Sequence, residues 1–446
     1  MRSATAKVLH AVAGRPLVLH VLDALEKLSP DRRIVITGHQ EEAVRSALGD
    51  RCEFATQSEQ LGTGHAVLQA RSALRGFDGD VLVVCGDVPL LTAATLRKLR
   101  RAHVNRDALA TVLAMRSEDP DGYGRVIDDE AGLRIVEHAD ASDAERAVDI
   151  VNSGTYVFDA AFLFRALAGL GRDNAQGEYY LTDVIAAAAS RGRAAKVVLP
   201  DEQECLGVNS RADLAFAESM LRKRLVAQWM DRGVTFIDPD TAYIGASVRI
   251  GPDTVIGPNV RLEGQTRIGS GCRLDGSSYL NDAVIGDDVL IRWGVVANDV
   301  IIKRGAQVGP YAHLRPLAEL GENVHIGNFC EVKKSTIGAG SKANHLTYIG
   351  DATVGRDTNI GAGTITCNYD GFAKHPTKIG DRVQIGSDTQ LVAPVELGSD
   401  AYVAAGSTVT RDVEPGALVF NDKPQRARAG WVERFRKRAA KARKAR

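Results

Sequence analysis

Aliphatic residues recur every six positions through the second half of the chain. They stand at Ile244, Ile250, Ile256, Leu262, Ile268 and Leu274, at Val308, Leu314, Leu320, Ile326 and Val332, and at Ile379, Ile385, Leu391, Leu397, Val403 and Val409. Small residues usually follow, as at Gly245, Gly251, Gly257, Gly309, Gly327 and Gly386. An α-helix repeats every 3.6 residues and a plain strand every 2, so neither produces this spacing. A parallel β-helix does, because each short flat face ends in a turn and one aliphatic side chain per hexad points inward. That side chain stacks on its counterpart in the next coil, about 4.8 Å away. The spacing therefore predicts hexapeptide-repeat coils from about residue 236 to 415. One stretch breaks the ladder. Between Ile360 and Ile379 the run Gly361–Lys378 reads as a loop extruded from the prism, and long insertions in a regular solenoid tend to carry function.

Residues 1–209 have a different grammar. Arg33–Thr37 and Val81–Cys85 are short β-branched apolar runs of the kind found in buried parallel strands. Helical patterns such as His65–Leu74 lie between them, which predicts a doubly wound α/β sheet. Residues 210–235 read as a linker carrying a charged amphipathic helix. The chain thus divides into an α/β domain (1–209), a linker helix (210–235), a β-helix domain (236–425) and a tail (426–446). In that tail ten Lys or Arg residues face one acid, Glu433, although the whole chain has zero formal net charge. Without an overall field, nothing in the balance points to nucleic acid or to a membrane. The tail reads as a solvated basic segment or as a companion to an anionic ligand. Six cysteines are scattered without a C-x-x-C pair, the pattern of reduced thiols in a cytoplasmic protein. No apolar run reaches 18 residues.

Two regions carry chemistry. In the first half, the strand ending at Cys85 runs into Gly86-Asp87-Val88-Pro89, placing Asp87 past a strand's carboxyl end, where open α/β sheets bind ligands. A carboxylate there either forms a turn or shares Mg²⁺ with substrate phosphates. The glycines of Gln57–Gly64 form a tight strand-to-helix turn or let backbone amides approach a base or phosphate. In the second half, His345 lies three residues before Tyr348. Imidazole, with a reference pKa of about 6.5, is suited to accepting a proton near neutral pH. Arg315 and Lys333 set fixed positive charge beside aliphatic hexads, either as solvated faces or as an anion clamp.

Taken together, Lys7-Val-Leu-His10, Gln60–Gly64, Gly86–Leu90, Gly122–Arg125, Ile135–His138, Asn174–Tyr180 and Gly207–Asn209 occur in one order. With the hexads, this set resembles the bifunctional bacterial N-acetylglucosamine-1-phosphate uridyltransferase/glucosamine-1-phosphate acetyltransferase family, from residue 1 to about 425. The resemblance implies a Rossmann-like nucleotidyltransferase domain followed by a left-handed β-helix. It implies Mg²⁺ held by Asp87 and Asn209, Lys7 neutralising phosphate, and Gln57, Gly62 and Thr63 reading uracil. Gly124, Glu137 and Asn152 would hold N-acetylglucosamine, with Cys85 and Gly86 lining the UDP-sugar. In the β-helix it makes His345 the general base and Arg315, Lys333, Tyr348 and Asn359 the sugar-phosphate site. Ala362, Asn368, Tyr369, Ser387 and Ala405 fall on acetyl-CoA positions, with Lys374 as a further phosphate partner.

The implied reactants are UTP, N-acetylglucosamine 1-phosphate, glucosamine 1-phosphate and acetyl-CoA, feeding peptidoglycan and lipopolysaccharide precursors. A homotrimer built through the β-helix is also implied. The sequence departs from the family at two points. An Arg near the prism's end is replaced by Asp422, with Lys423 beside it, and the basic tail is a candidate to compensate. The chain also begins at a position matching the last residue of the family's Gly-rich phosphate loop. We therefore expect the natural chain to extend upstream by about a strand and a loop. Three other readings compete: an acetyltransferase with an inactive first domain, a pyrophosphorylase for another base or sugar, and a metal-dependent β-helix hydratase. The last needs closely paired histidines, and His313, His325, His345 and His375 show no such pairing.

Overall fold

The computed structural model describes residues 1, 3–38, 40–199, 203–422 and 424–444; Lys423 lies outside them. It divides into two compact units, residues 1–231 with 242–248, and residues 232–241 with 249–446.

In the first unit the main sheet is mixed. Its path runs through the strands Ala194–Leu199, Ala110–Arg116, Ile150–Asp159, Arg125–Asp129 and Gly132–Val136, and Asp80–Val83 also pairs with Ile150–Asp159. Alternation along Ala110–Arg116 sends Ala110, Val112 and Ala114 into one core with Phe158, Phe162 and Ile185. Leu113 and Met115 enter the opposite core with Leu96, Leu99 and Val197. Both faces are therefore covered, which explains why this strand carries no exposed polar stripe. The helix Arg211–Met230 packs Ala217 and Leu221 against Val12, Leu17 and Leu90, so it belongs to this unit's core. Its N-terminus is closed by a reciprocal cap between Ser210 and Asp213.

Two expectations are corrected here. The run ending at Cys85 was expected as a buried parallel strand. Instead Asp80–Val83 pairs antiparallel with Tyr156–Asp159, while Ile34–Thr37 forms a separate parallel ladder with Glu53–Thr56. Each has one ladder partner among the described residues, and Ile34–Ile36 and Val81–Val84 stay half-buried. The helix expected over His65–Leu74 is α-helical only over Thr63–Leu68 and then tightens into a 3₁₀ turn.

The second unit is a left-handed parallel β-helix. An 11-stranded ladder forms one face and a 17-stranded sheet wraps the others. All seventeen hexad aliphatics are buried. Coil-to-coil pairing steps by 18 residues at Arg249↔Arg267 and by 17 at Lys342↔Asn359. Gly257 is required by the close approach of coils, since a Cβ there would overlap the Asp275 carbonyl. The step jumps to 25 at Asn359↔Gln384, which locates the insertion. The extruded segment is shorter than the expected Gly361–Lys378, because Ile365–Cys367 and Thr377–Ile379 remain strands of the prism. Only 368–376 leave it, pinched by a bridge between Tyr369 and Lys374. Among the described residues, no helix is long and apolar enough to cross a membrane.

Two candidate active sites

In the first unit, the fold brings three distant residues to one point. Lys7 sits on the turn Lys7–Leu9, Asp87 follows the strand Asp80–Val83, and Asn209 precedes the capped helix. The Lys7 ammonium lies 2.5 Å from Asp87 Oδ2 and donates to Asn209 Oδ1 at 2.9 Å. The backbone amide of Val208 donates to the Asp87 carbonyl at 2.9 Å, locking the two loops together. Two hard oxygens thus already converge on one cationic atom, the donor set that Mg²⁺ prefers. Among the described residues no cluster of three or more His, Cys, Asp or Glu is arranged to hold a metal. A cation here would complete its shell with substrate oxygens, so the residues fit Mg²⁺ in that role.

Gln57, Gly62 and Thr63 lie together. The Gln57 amide donates to the Gly62 carbonyl at 3.1 Å, and Thr63 Oγ1 accepts from the Leu181 amide at 3.1 Å. Gly62 has φ +107°, and a Cβ there would press into Glu178 and Tyr179, so only glycine suits the turn. Gly124, Glu137 and Asn152 also converge. The Asn152 backbone N–H donates to the Gly124 carbonyl at 2.8 Å, and a Cβ on Gly124 would stand 3.2 Å from Glu137 Oε2. Exposed Cys85 approaches this pocket through Gly154, and Gly86 lies against Val8 beside the Lys7 turn.

Two residues of the pocket escaped the sequence reading. The Thr182 hydroxyl donates to Glu137 Oε1 at 3.1 Å, and the Tyr156 hydroxyl accepts from the Asn152 side-chain Nδ2 at 2.7 Å. Thr182 lies two residues past the Asn174–Tyr180 motif, which was its only signal.

Burial pushes the Glu137 carboxyl above its usual range; the Thr182 hydroxyl opposes this, and the carboxylates of Asp140, Asp183 and Glu178 add to it. A carboxyl raised on folding is penalised above its folded pKa, and the penalty fades as pH falls to the unfolded value. Glu137→Gln therefore unfolds at higher urea than the parent at neutral pH. The difference closes below the ordinary carboxylate pKa of about 4.3. Urea midpoints of the first unit's transition at the two pH values check this.

In the second unit, His345 ends the strand Lys342–His345, and Asn328 is its ladder partner one coil earlier. His345 Nδ1 lies 2.7 Å from Asn328 Oδ1. A carbonyl oxygen only accepts, so Nδ1 is the donor in this contact, and in the neutral ring the lone pair falls on Nε2. Asn328 was not singled out from the sequence. Around the next corner, Arg315 Nη1 donates to Glu331 Oε1 at 2.8 Å. The neighbouring Lys374 ammonium, then Arg315, holds Lys333 below the usual lysine range. Three cations therefore share one patch with the carboxylates of Glu331 and Asp351, and a phosphate there would exchange with those carboxylates.

Asn368, expected among the coenzyme residues, is buried here. Its amide donates to Asp351 Oδ2 at 2.6 Å and lies 3.5 Å from the Tyr348 hydroxyl. Tyr369 projects outward on the extruded segment. Ala362, Ser387 and Ala405 occupy one corner in successive coils, joined by Asp388 N–H to the Ala362 carbonyl (2.7 Å) and Gly406 N–H to the Ser387 carbonyl (2.8 Å). Asn359 stands apart from the cations, paired between Lys342 and Gln384 on the 11-stranded face. Asp422 is exposed, in a segment without regular structure.

These folds and sites define a nucleotidyltransferase joined to a hexapeptide-repeat acyltransferase. The Nucleotidyl transferase family model matches residues 2–235, the GMPPB C-terminal domain model matches 296–393, and the Bacterial transferase hexapeptide (six repeats) model matches 376–411. Relatives named Bifunctional protein GlmU are similar over nearly the whole chain. That of Pelobacter propionicus is 49% identical over 98% of this chain and 96% of its own, and that of Exiguobacterium sp. 49% over 97% of each. The relative from Heliobacterium modesticaldum is 49% identical over 98% of this chain and 96% of its own. The chain belongs to the family of the bifunctional protein GlmU and is a two-activity enzyme, a uridylyltransferase and an acetyltransferase.

Proposed function

We propose that the two units act in series on one sugar phosphate, with residues 1–209 performing uridylyl transfer and 236–425 acetyl transfer in the cytoplasm. In the β-helix, the amine of glucosamine 1-phosphate attacks the acetyl-CoA thioester carbonyl, and His345 Nε2 takes the amine proton as the carbon–sulfur bond breaks. Arg315, Lys333 and Lys374 hold the sugar's phosphate, with Tyr348 and Asn359 along the sugar and Asn368 on the coenzyme side. Ala362, Ser387 and Ala405, with Tyr369 nearby, line the coenzyme's path.

In the first unit, a phosphate oxygen of N-acetylglucosamine 1-phosphate attacks the α-phosphorus of UTP in line, and the bond to pyrophosphate breaks. Asp87 and Asn209 would hold Mg²⁺, which would supply positive charge for the phosphates, and Lys7 adds a second positive charge. Gln57, Gly62 and Thr63 orient the uracil. Gly124, Glu137 and Asn152 orient the sugar, beside Cys85 and Gly86. The observation that carries this reading is the His345 imidazole, turned by Asn328 through Nδ1, one corner away from the cations Arg315, Lys333 and Lys374. Its test is one preparation assayed for both half-reactions. Acetylated sugar phosphate without UTP-dependent pyrophosphate release reduces the protein to an acetyltransferase, and absence of acetylated product overturns the reading.

The catalytic assembly is a homotrimer. Supporting this, Trp293, Tyr311, Phe329 and Leu346 run down one corner of the prism, 44%, 58%, 57% and 62% exposed. The rings of Tyr311 and Phe329 stack at 5.7 Å. A continuous apolar stripe of this kind marks a protein interface. Its last member adjoins His345, so a neighbouring copy would reach the acetyl transfer site. Phe329→Asp should reduce the mass in light scattering from three chains to one and depress acetyl transfer while sparing uridylyl transfer. A trimer that survives with full activity would argue against this corner as the interface.

A further inference from the structure

Apart from the coenzyme contact for which the basic tail is a candidate, neither proposed activity assigns a role to residues 426–446. They hold ten of the chain's Lys and Arg residues and only Glu433 among its acids, leaving 46 basic against 55 acidic residues elsewhere. The zero net charge therefore hides two oppositely charged parts. Most of the tail is not loose chain: Trp431–Lys444 is an α-helix. At about 100° per residue, Trp431, Val432, Phe435 and Ala439 fall in one sector. Arg434, Arg436, Lys437, Arg438, Lys441 and Arg443 take most of the remaining circumference. Trp431, Val432 and Phe435 are each at least half exposed, and the two rings stack at 5.1 Å with an 11° tilt. Chain without regular structure, with Pro424, and a left-handed Gly430 (φ +68°) precede the helix.

We propose that this helix lies flat in the surface of an anionic phospholipid bilayer. Trp431, Phe435 and Val432 would enter the headgroup–acyl boundary, and the cations would face the lipid phosphates. Charge complementarity selects an anionic partner, and the apolar sector selects among anions. A basic helix with Trp and Phe on one face and Lys and Arg on the other is the form that binds anionic interfaces. A nucleic acid would satisfy the cations, but the sector's aliphatic members, Val432 and Ala439, offer nothing for a base to stack on.

The test is cosedimentation of the full chain with vesicles of phosphatidylglycerol and phosphatidylcholine, against vesicles of phosphatidylcholine alone. Two variants carry the same change of charge on opposite sides of the helix, Phe435→Glu and Ala440→Glu. Binding to the anionic vesicles should exceed that to neutral ones by about tenfold or more. Phe435→Glu should abolish it, and Ala440→Glu should retain most of it. The proposal is overturned by equal losses in the two variants, by equal or no binding to the two vesicle types, or by retention on RNA without binding to vesicles.

Discussion

Replacing His345 with alanine should lower acetyl transfer by about 10²–10⁴-fold, the usual worth of a positioned general base. UTP-dependent pyrophosphate release should be unchanged. The two effects separate because His345 belongs to a coil of the β-helix, whereas Lys7, Asp87 and Asn209 are joined within the other unit. The Asn328 contact adds a graded test. It fixes the proton on Nδ1, so Asn328→Ala frees the ring to take the other tautomer and should cost less than removal of the ring. A pure packing role would instead lower stability in both variants and leave the pH profile of acetyl transfer unmoved. Formation of N-acetylated sugar phosphate is the suitable readout, because it follows the transferred group itself. Equal loss of both activities in His345→Ala would contradict two separate sites.

The β-helix was legible because its core rule is local: one aliphatic residue in six, every one of them buried in the fold. The same regularity could have exposed Asn328. With coils of 17 or 18 residues, the residue 17 before His345 is its lateral neighbour, and Glu331 precedes Tyr348 by the same step. The extruded segment was overestimated because the inward residue of Ile365–Cys367 is Thr366 rather than an aliphatic, although the strand still completes its ladder with Gln390–Val392.

The first unit offers no such arithmetic. Lys7 meets Asn209 across 202 positions and Glu137 meets Thr182 across 45, contacts set by sheet order alone. Sheet order was itself misread at Asp80–Val83. An apolar β-branched run shows that a strand will be covered, while the direction of its partner depends on where Ile150–Asp159 returns.

Replacing Asp87 with alanine should produce the reverse dissociation, a loss of uridylyl transfer of about a hundredfold or more with acetyl transfer intact. The magnitude follows from the chemistry proposed for the site. Phosphoryl transfer relies on positioning and charge neutralisation, and removing one preorganised electrostatic contact typically costs about 10²–10³ in rate. Asp87 stands at the centre of that arrangement. Its Oδ2 and Asn209 Oδ1 converge on one cationic atom, while its carbonyl holds the Val208 amide and hence the Asn209 loop. Asp87→Asn separates these contributions, because it keeps the shape and the backbone contact but removes the charge. Its activity should recover in part as Mg²⁺ is raised, since a weaker oxygen ligand lowers affinity without destroying the site. Lys7→Ala should differ from both. It deletes the ammonium that lies against the two oxygens, so it should ease Mg²⁺ binding in the absence of nucleotide and slow turnover when UTP is bound. Titration with Mg²⁺, following pyrophosphate release in the three variants, distinguishes them. If Asp87→Asn shows the same Mg²⁺ dependence as the parent chain, Asp87 is a turn residue and the cation is held elsewhere.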